Sequence, residues 1–383
     1  MPDVKFVIGA NYGDEGKGLV SASLAAAAKR NGKRCLTILY NGGSQRGHTV
    51  EFNGFRHVYH HFAAGTPFGS DTFLHRDFLV NPMTFVEEYD ASTECFADAN
   101  CRIVTPFDMM ANQLVEQGRD VRHGSCGMGI FETITRYGAN GDDVLTRKLG
   151  CLYKSTSDII YNYISEVQKY YEDKKGIRFD AVVGLDVEGL KWHWVDDFNS
   201  MARNIQLVDS VDMRDLLSAY DTIVFEGGQG LALDMDNTQD FPHLTPSNTG
   251  SKKMIPWLAD TLGNDIAVDM YYVTRTYLTR HGNGPLPHEG KFLDGVLIEP
   301  DMTNQPNPWQ GTMRRAGFSN DTFDAMLDRV VKDMYNIHDM KNAHCSLVVT
   351  HLNEIKRGFY LPANFEVFDN VLYTDTEDCT LLF

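Results

Sequence analysis

Asp14 and Lys17 lie inside a glycine-rich turn, Gly13-Asp14-Glu15-Gly16-Lys17-Gly18, and His48 lies inside a second one, Gly47-His48-Thr49. A lysine among glycines suits phosphate: glycine lets backbone N–H groups approach an anion, and the ammonium adds a point charge. Asp14 does not suit that use. Its carboxylate repels phosphate unless it holds a metal or takes a proton. A turn aspartate with a capping role is the plainer alternative. His48 adds a group whose proton moves near neutral pH.

The elements that must position these residues are legible. Residues 4–8 form an apolar run that reads as a buried strand. Residues 19–30 read as a helix, being alanine-rich and free of breakers until Asn31-Gly32. Residues 34–40 read as a second strand. The first glycine turn therefore sits at a strand-to-helix junction, where the helix dipole favours an anion. It is not a Walker A loop: the first glycine position is Asn11, and Gly18 follows Lys17 where Ser or Thr is required. Nor does it have the G-x-G-x-x-G dinucleotide spacing.

Further along, residues 51–62 read as a hairpin around Asn53-Gly54. His57, His60 and His61 fall there, and strand histidines explain them better than zinc does. Residues 72–80 read as a strand entering a helix at Asn81-Pro82. Residues 91–120 show no clear pattern. Gly124-Ser125-Cys126-Gly127-Met128-Gly129 is a second phosphate-compatible loop, with Arg136 beyond it. Residues 153–174 read as a charged surface helix, and 179–185 and 222–225 as strands. Residues 265–280 read as one or two strands. Ser319 is a candidate N-cap for a helix over 321–337, and 345–350 read as a late strand. Several motifs fall just after strands, where ligands bind in an open α/β sheet.

The chain has 383 residues, 43% of them hydrophobic and 23% charged, with 52 acids against 35 bases and a net charge of −17. That composition belongs to a globular protein and argues against general binding to nucleic acid or an anionic membrane. A small anionic substrate is still compatible, since local bases outweigh distant charge. Seven cysteines without a C-x-x-C pair point to a reduced, cytoplasmic setting. No signal peptide or membrane helix is expected. With no repeat or linker, residues 1–383 are expected to form one domain: α/β, with a mostly parallel central sheet, helices on both faces and P-loop-like turns.

The two N-terminal motifs, G-D-E-G-K-G and G-G-x-x-x-G-H-T, resemble those of adenylosuccinate synthetase. Phe225 to Gly230 (FEGGQG) is similar to the family's F-E-G-A-Q-G, Leu244 to Thr249 (LTPSNT) to V-T-S-S-N-T, and Tyr277 to Pro287 (YLTRHGNGPLP) to Y-S-T-R-V-G-A-G-P-F-P. The family joins L-aspartate to IMP through a 6-phosphoryl intermediate, at the expense of GTP. The resemblance implies Asp14 as the base at purine N1 and His48 as an acid toward the transferring phosphoryl. It implies Mg²⁺ on Asp14 and the carbonyl of Gly47, with Lys17 on the donor phosphates. Gly13, Glu15, Gly16, Gly18 and Thr49 complete the phosphate loops. Gln229 would contact the 6-oxo region. Ser125, Cys126 and Thr245 would hold the 5′-phosphate, joined by Arg136 from the neighbouring subunit of a homodimer.

Departures qualify the resemblance. The family's aspartate loop, T-T-G-R-R-R-R-T-G-W, runs here as Trp309-Gln310-Gly311-Thr312-Met313-Arg314-Arg315-Ala316-Gly317-Phe318, so its first arginine aligns with Thr312 while Arg314 and Arg315 remain. The S-T-G-P segment of the guanine pocket is not visible. The family's guanine-reading T-K-L-D appears as Thr350-His351-Leu352-Asn353, and an amide complements adenine better than guanine. ATP is therefore expected to serve at least as well as GTP. Phage-type relatives acting on dGMP are an alternative, although they tend to carry Ser at the Asp14 position. A nucleotide-binding regulator without catalysis is a second alternative, disfavoured by the retention of both Asp14 and His48.

Overall fold

Strand β1 (Asp3–Gly9) sends Val4, Phe6 and Ile8 to one side of its sheet and Val7 to the other, and all four are fully buried. Such a strand needs cover on both faces, which parallel sheets receive from crossover helices. The computed structural model describes residues 1–138, 144–292, 309–355 and 365–383. In it β1 joins β2 (Cys35–Leu39), β3 (Asp71–Leu74), β4 (Cys95–Asp98), β5 (Gln206–Val208), β6 (Thr222–Gly230), β7 (Ala267–Arg275), β8 (Asn342–Thr350) and β9 (Asn370–Tyr373). The order is β9-β8-β7-β1-β6-β2-β3-β4-β5, and every pairing is parallel. All the carboxyl ends thus share one edge of an α/β fold.

Helix α1 (Lys17–Arg30) packs Val20, Leu24, Ala25 and Ala28 against Val7, Val224, Val273 and Val348. On the same face as α1, over Leu39, Leu74 and Ala97 of β2, β3 and β4, lies a helical lobe of α2 (Pro106–Gln117), α3 (Ile130–Tyr137), α4 (Ser157–Lys175) and α5 (Val187–Asn204). Helix α4 buries Ile160, Tyr163, Ile164, Val167 and Tyr171, a stripe at helical spacing. It is a core element and not only a surface one. The opposite sheet face receives helix Met254–Leu262 and α6 (Asn320–Met334), through Met254, Leu258, Phe323, Met326 and Val330. Ser319 caps α6 in a capping box with Thr322. Among the described residues no helix is long and apolar enough to cross a membrane.

Besides the burial of α4 and the break of residues 72–80 into Asp71–Leu74 and Leu79–Val80, three expectations change. Residues 179–185 are not a strand: Phe179–Ala181 is a 3-10 turn, with Phe179 buried, Val183 fully exposed and Gly184 at φ 80°. A segment anchored at one end and turned by a left-handed glycine has no neighbour to pair with. Within residues 91–120, β4 and α2 form, and Thr105 and Asp108 cap α2 reciprocally. The third change concerns Arg136. Its guanidinium donates to both carboxylate oxygens of Asp108 (2.8 Å each), to the carbonyls of Leu145 and Ile103 (2.8 Å each) and to the hydroxyl of Tyr163 (3.0 Å). It is fully buried and all five N–H groups are used. It cannot reach a phosphate in another subunit.

Arg136→Met is therefore expected to cost about 3–5 kcal/mol in urea unfolding, because it strands the buried Asp108 carboxylate. A variant of normal stability that had lost only activity would contradict this placement. Two buried histidines make stability fall in acid. Burial pushes the His61 imidazole down to about 3 and that of His75 down to about 4. Unfolded histidine protonates near pH 6.5, so the stabilising contribution is complete above that pH and is lost as pH falls toward 4 and 3. Between pH 7.5 and pH 5 each should subtract about 2 kcal/mol. Urea unfolding at the two pH values checks this, and His75→Gln should flatten the dependence by one such increment.

Candidate functional site

A cavity of about 1350 Å³ opens at the carboxyl edge of the sheet. Its first wall is the turn from β1 into α1. Gly16 adopts φ 90° and caps α1 with no side-chain partner, which leaves the leading N–H groups of the helix open to an anion. Gly18 permits contact with the second loop: a Cβ there would stand 2.7 Å from the carbonyl oxygen of Thr49. Glu15 turns its carboxylate inward. One oxygen accepts the N–H of Asn11 (2.6 Å) and the other pairs with Nζ of Lys17 (3.2 Å), and both side chains are buried. Glu15 thus shapes the turn and holds Lys17 in place.

Asp14 is held by its backbone. Its φ is 56°, its carbonyl accepts from Nε of Arg275, and the neighbouring Gly13 carbonyl accepts from Oγ1 of Thr279 (3.1 Å). Arg275 in turn donates to the Tyr277 hydroxyl (2.7 Å) and pairs with Glu354 (3.5 Å). One carboxylate oxygen of Asp14 lies 3.4 Å from Nε2 of His281. His281 stands where the family motif has Val.

His48 meets Glu226, a buried acid of the F-E-G-G-Q-G segment. Nδ1 of His48 lies 2.7 Å from Oε1 of Glu226, and the same oxygen pairs with Arg46. Oε2 of Glu226 accepts the N–H of Ala64 (3.1 Å). Nη2 of Arg46 lies 2.6 Å from the same Nδ1; a ring protonated at Nδ1 donates to the carboxylate, which leaves Nε2 as the second nitrogen. Burial, then the charges of Arg46 and Lys17, hold the His48 pKa well below its usual value. Without a ligand the ring is neutral.

The far wall comes from the second glycine loop. Oγ of Ser125 donates to Asn112 (2.6 Å) and accepts the N–H of Gly127 (3.3 Å). Burial pushes the Cys126 thiol up to about 11, so it faces the cavity as a neutral donor. Burial also pushes Glu132, which accepts from Asn112 (3.1 Å), up to about 7. Thr245 and Gln229 line the cavity as well, and Gln229 adopts φ 55° beside Gln45.

One cavity therefore gathers Gly13, Asp14, Glu15, Gly16, Lys17, Gly18, Gly47, His48, Thr49, Ser125, Cys126, Gln229, Thr245 and Asn353. Arg136 is not among them, and Arg314 lies outside the lining, paired with Glu289 (2.8 Å) and donating to the Gly284 carbonyl. Arg46, Arg119, Arg275 and Arg280 were not singled out from sequence. All four line the cavity, and each is paired with an acid: Arg46 with Glu226, Arg119 with Glu116, Arg275 with Glu354 and Arg280 with Asp240. The arrangement can bind phosphate groups beside a fixed carboxylate and a buried imidazole.

Known proteins resemble the chain over most of its length. The family model for adenylosuccinate synthetase matches residues 6–354. Adenylosuccinate synthetase of Francisella tularensis subsp. novicida is 25% identical over 336 residues, covering 82% of this chain and 71% of that protein. The Halothermothrix orenii enzyme is 25% identical over 330 residues, with the same coverage. Fully ligated adenylosuccinate synthetase from Plasmodium falciparum superposes with a TM-score of 0.63 at 18% identity, covering 92% of this chain and 77% of that one. The succinoaminodeoxyadenylate synthetase of cyanophage S-2L, bound to dGMP and dATP, superposes with a TM-score of 0.63 at 16% identity, covering 100% and 95%. With the fold and the motif-bearing cavity in agreement, the chain belongs to the adenylosuccinate synthetase family of carbon–nitrogen ligases.

Proposed function

We propose that this protein condenses L-aspartate with IMP, through a 6-phosphoryl intermediate and at the expense of a nucleoside triphosphate. The observation that carries the reading is the meeting of Asp14, His48, Lys17 and Gln229 in one cavity. Asp14 takes the proton from N1 of the 6-oxopurine, and the electron pair moves to O6. O6 attacks the γ-phosphorus of the donor, and the nucleoside diphosphate leaves. The amine of aspartate then adds at C6, and phosphate departs with the former O6. A pure nucleotide binder gains nothing from a carboxylate fixed inside its phosphate cradle.

The residues divide the work. The N-terminus of α1 and Lys17 hold donor phosphates, and Gln229 orients the 6-oxo group. Ser125, Cys126 and Thr245 hold the 5′-phosphate. His48 is neutral in the ligand-free cavity, and bound phosphates raise its proton affinity. Nε2 then acts as the donor toward the transferring phosphoryl, with Glu226 stabilising the imidazolium through Nδ1. Asp14 and the carbonyl of Gly47 form an all-oxygen pair in the same cavity. That suits Mg²⁺, which takes one or two protein ligands beside phosphates and waters. When bound it supplies charge neutralisation at the phosphates. ATP is proposed to serve at least as well as GTP, since the Asn353 amide in the cavity can complement adenine. The homodimer keeps the family resemblance as its support, since Arg136 no longer argues for it.

A second reading has dGMP in place of IMP. It is supported by the superposition on the cyanophage enzyme, which is described with dGMP and dATP. Phosphate release with IMP or dGMP, in the presence of L-aspartate, Mg²⁺ and ATP or GTP, separates the two. Release with IMP alone supports the first reading, and release with dGMP alone the second. Asp14→Asn and His48→Gln should each lower turnover by ~10² or more. Near-normal turnover in both variants would overturn the mechanism.

A further inference from the structure

The donor-base end of the cavity contains a carboxylate that no motif signalled. Nδ2 of Asn353 donates to Oε1 of Glu377 at 3.3 Å, and both residues line the cavity. Neither segment hangs loose. The N–H of Leu352 donates to the carbonyl of Thr374 (3.2 Å), and the N–H of Cys379 donates to the carbonyl of Glu51 (3.0 Å). Within the turn, the hydroxyl of Thr376 accepts the N–H of Asp378 (3.0 Å). On the other side, the hydroxyl of Thr350 donates to the Glu15 carbonyl (2.7 Å). Thr350, three residues before Asn353, is thus tied to the phosphate turn, and Glu377 accepts from Asn353.

Glu51 is hydrogen-bonded to Glu377 as well, and burial and that neighbouring acid raise the Glu51 pKa, so Glu51 is the carboxyl of the pair that holds a proton more readily. An ionised Glu377 only accepts hydrogen bonds, and the amide turns its nitrogen toward it. The opposite orientation sets the amide oxygen against the carboxylate. One N–H of Asn353 is then committed to Glu377, while the other N–H and Oδ1 form an ordered edge. That edge complements adenine, which offers an acceptor at N1 and a donor at N6. The flipped amide would complement guanine instead, accepting N1–H and donating to O6. An amide alone reads either base by flipping. The acid beside it removes one of the two choices.

We propose that Glu377 is the positioning residue that sets donor-base specificity: it locks the Asn353 amide in the orientation that reads adenine. The inference rests on the reading that the donor base lies at Asn353. Neutral Gln at 377 can donate as well as accept, so the lock disappears and the amide is free to turn.

The test compares kcat/KM for ATP and for GTP in the full-length protein and in Glu377→Gln, Glu377→Ala and Asn353→Ala. Both Glu377 variants should shift the ATP-to-GTP ratio toward GTP by about tenfold, the scale of one mispaired hydrogen bond. Part of that shift should be a gain in GTP use, which damage to the fold does not produce. If Asn353→Ala raises the donor KM while both Glu377 variants keep the ratio within twofold, the lock is wrong and the base placement stands. If Asn353→Ala also leaves the donor KM unchanged, the base lies elsewhere and both statements fall.

Discussion

The parallel pairing of β1 with β6 on one side and β7 on the other is the constraint on which the site depends. The register sets Val7 opposite Glu226 and Gly9 opposite both Gly230 and Val273. Three motif-bearing turns therefore leave the sheet at the same height: the phosphate turn after β1, Gln229 at the end of β6, and the segment from Arg275 to His281 after β7. The same register buries Glu226. An unpaired carboxylate there would be costly, and Arg46, His48 and the Ala64 N–H compensate for it. The acid that orients His48 is thus a consequence of strand pairing as much as of the loop sequence.

Around this frame the backbone carries local strain on the cavity wall. Asp14, Gln229 and His351 all adopt positive φ without being glycine, and all three line the cavity. Such conformations persist only where surrounding contacts over-determine them. For Asp14 those contacts are Arg275 and the neighbouring hydroxyl of Thr279. Arg275 also reaches Tyr277 and Glu354, so the carboxylate-bearing turn and the segment after β8 share one buried network. The lysine and arginine side chains of the cavity wall are each held by a carboxylate: Lys17 by Glu15, Arg46 by Glu226, Arg56 by Glu51, Arg119 by Glu116, Arg275 by Glu354 and Arg280 by Asp240.

The first β-α-β unit was legible because it depends on short-range rules: a β-branched apolar run, a glycine turn, an alanine-rich helix. The same holds for the hairpin at Asn53-Gly54 and for the Ser319 cap. Residues 179–185 were misread because an apolar, β-branched run does not reveal whether a neighbouring strand exists to pair with it. Residues 91–120 were opaque for a related reason, since β4 is short and depends on its place beside β3. The glycine and histidine motifs located the cavity walls. They did not reveal Glu226 as the partner of His48, or His281 beside Asp14.

By itself the sequence determined the family, the α/β class and the identity of the turns that carry Asp14, Lys17 and His48. Each of these is written in contiguous residues whose backbone preferences act locally. Only the tertiary structure decided which side chains face a ligand and which serve the core. Arg136 follows a phosphate-compatible loop and looked like a ligand contact, but the packing of α2, α3 and α4 closes over it and commits every one of its donors to Asp108 and its neighbours. Glu377 carries no motif, yet the return of the chain beside β8 brings its carboxylate to Asn353. Contacts between residues far apart in the chain are set by register and packing, and no short stretch of sequence contains them.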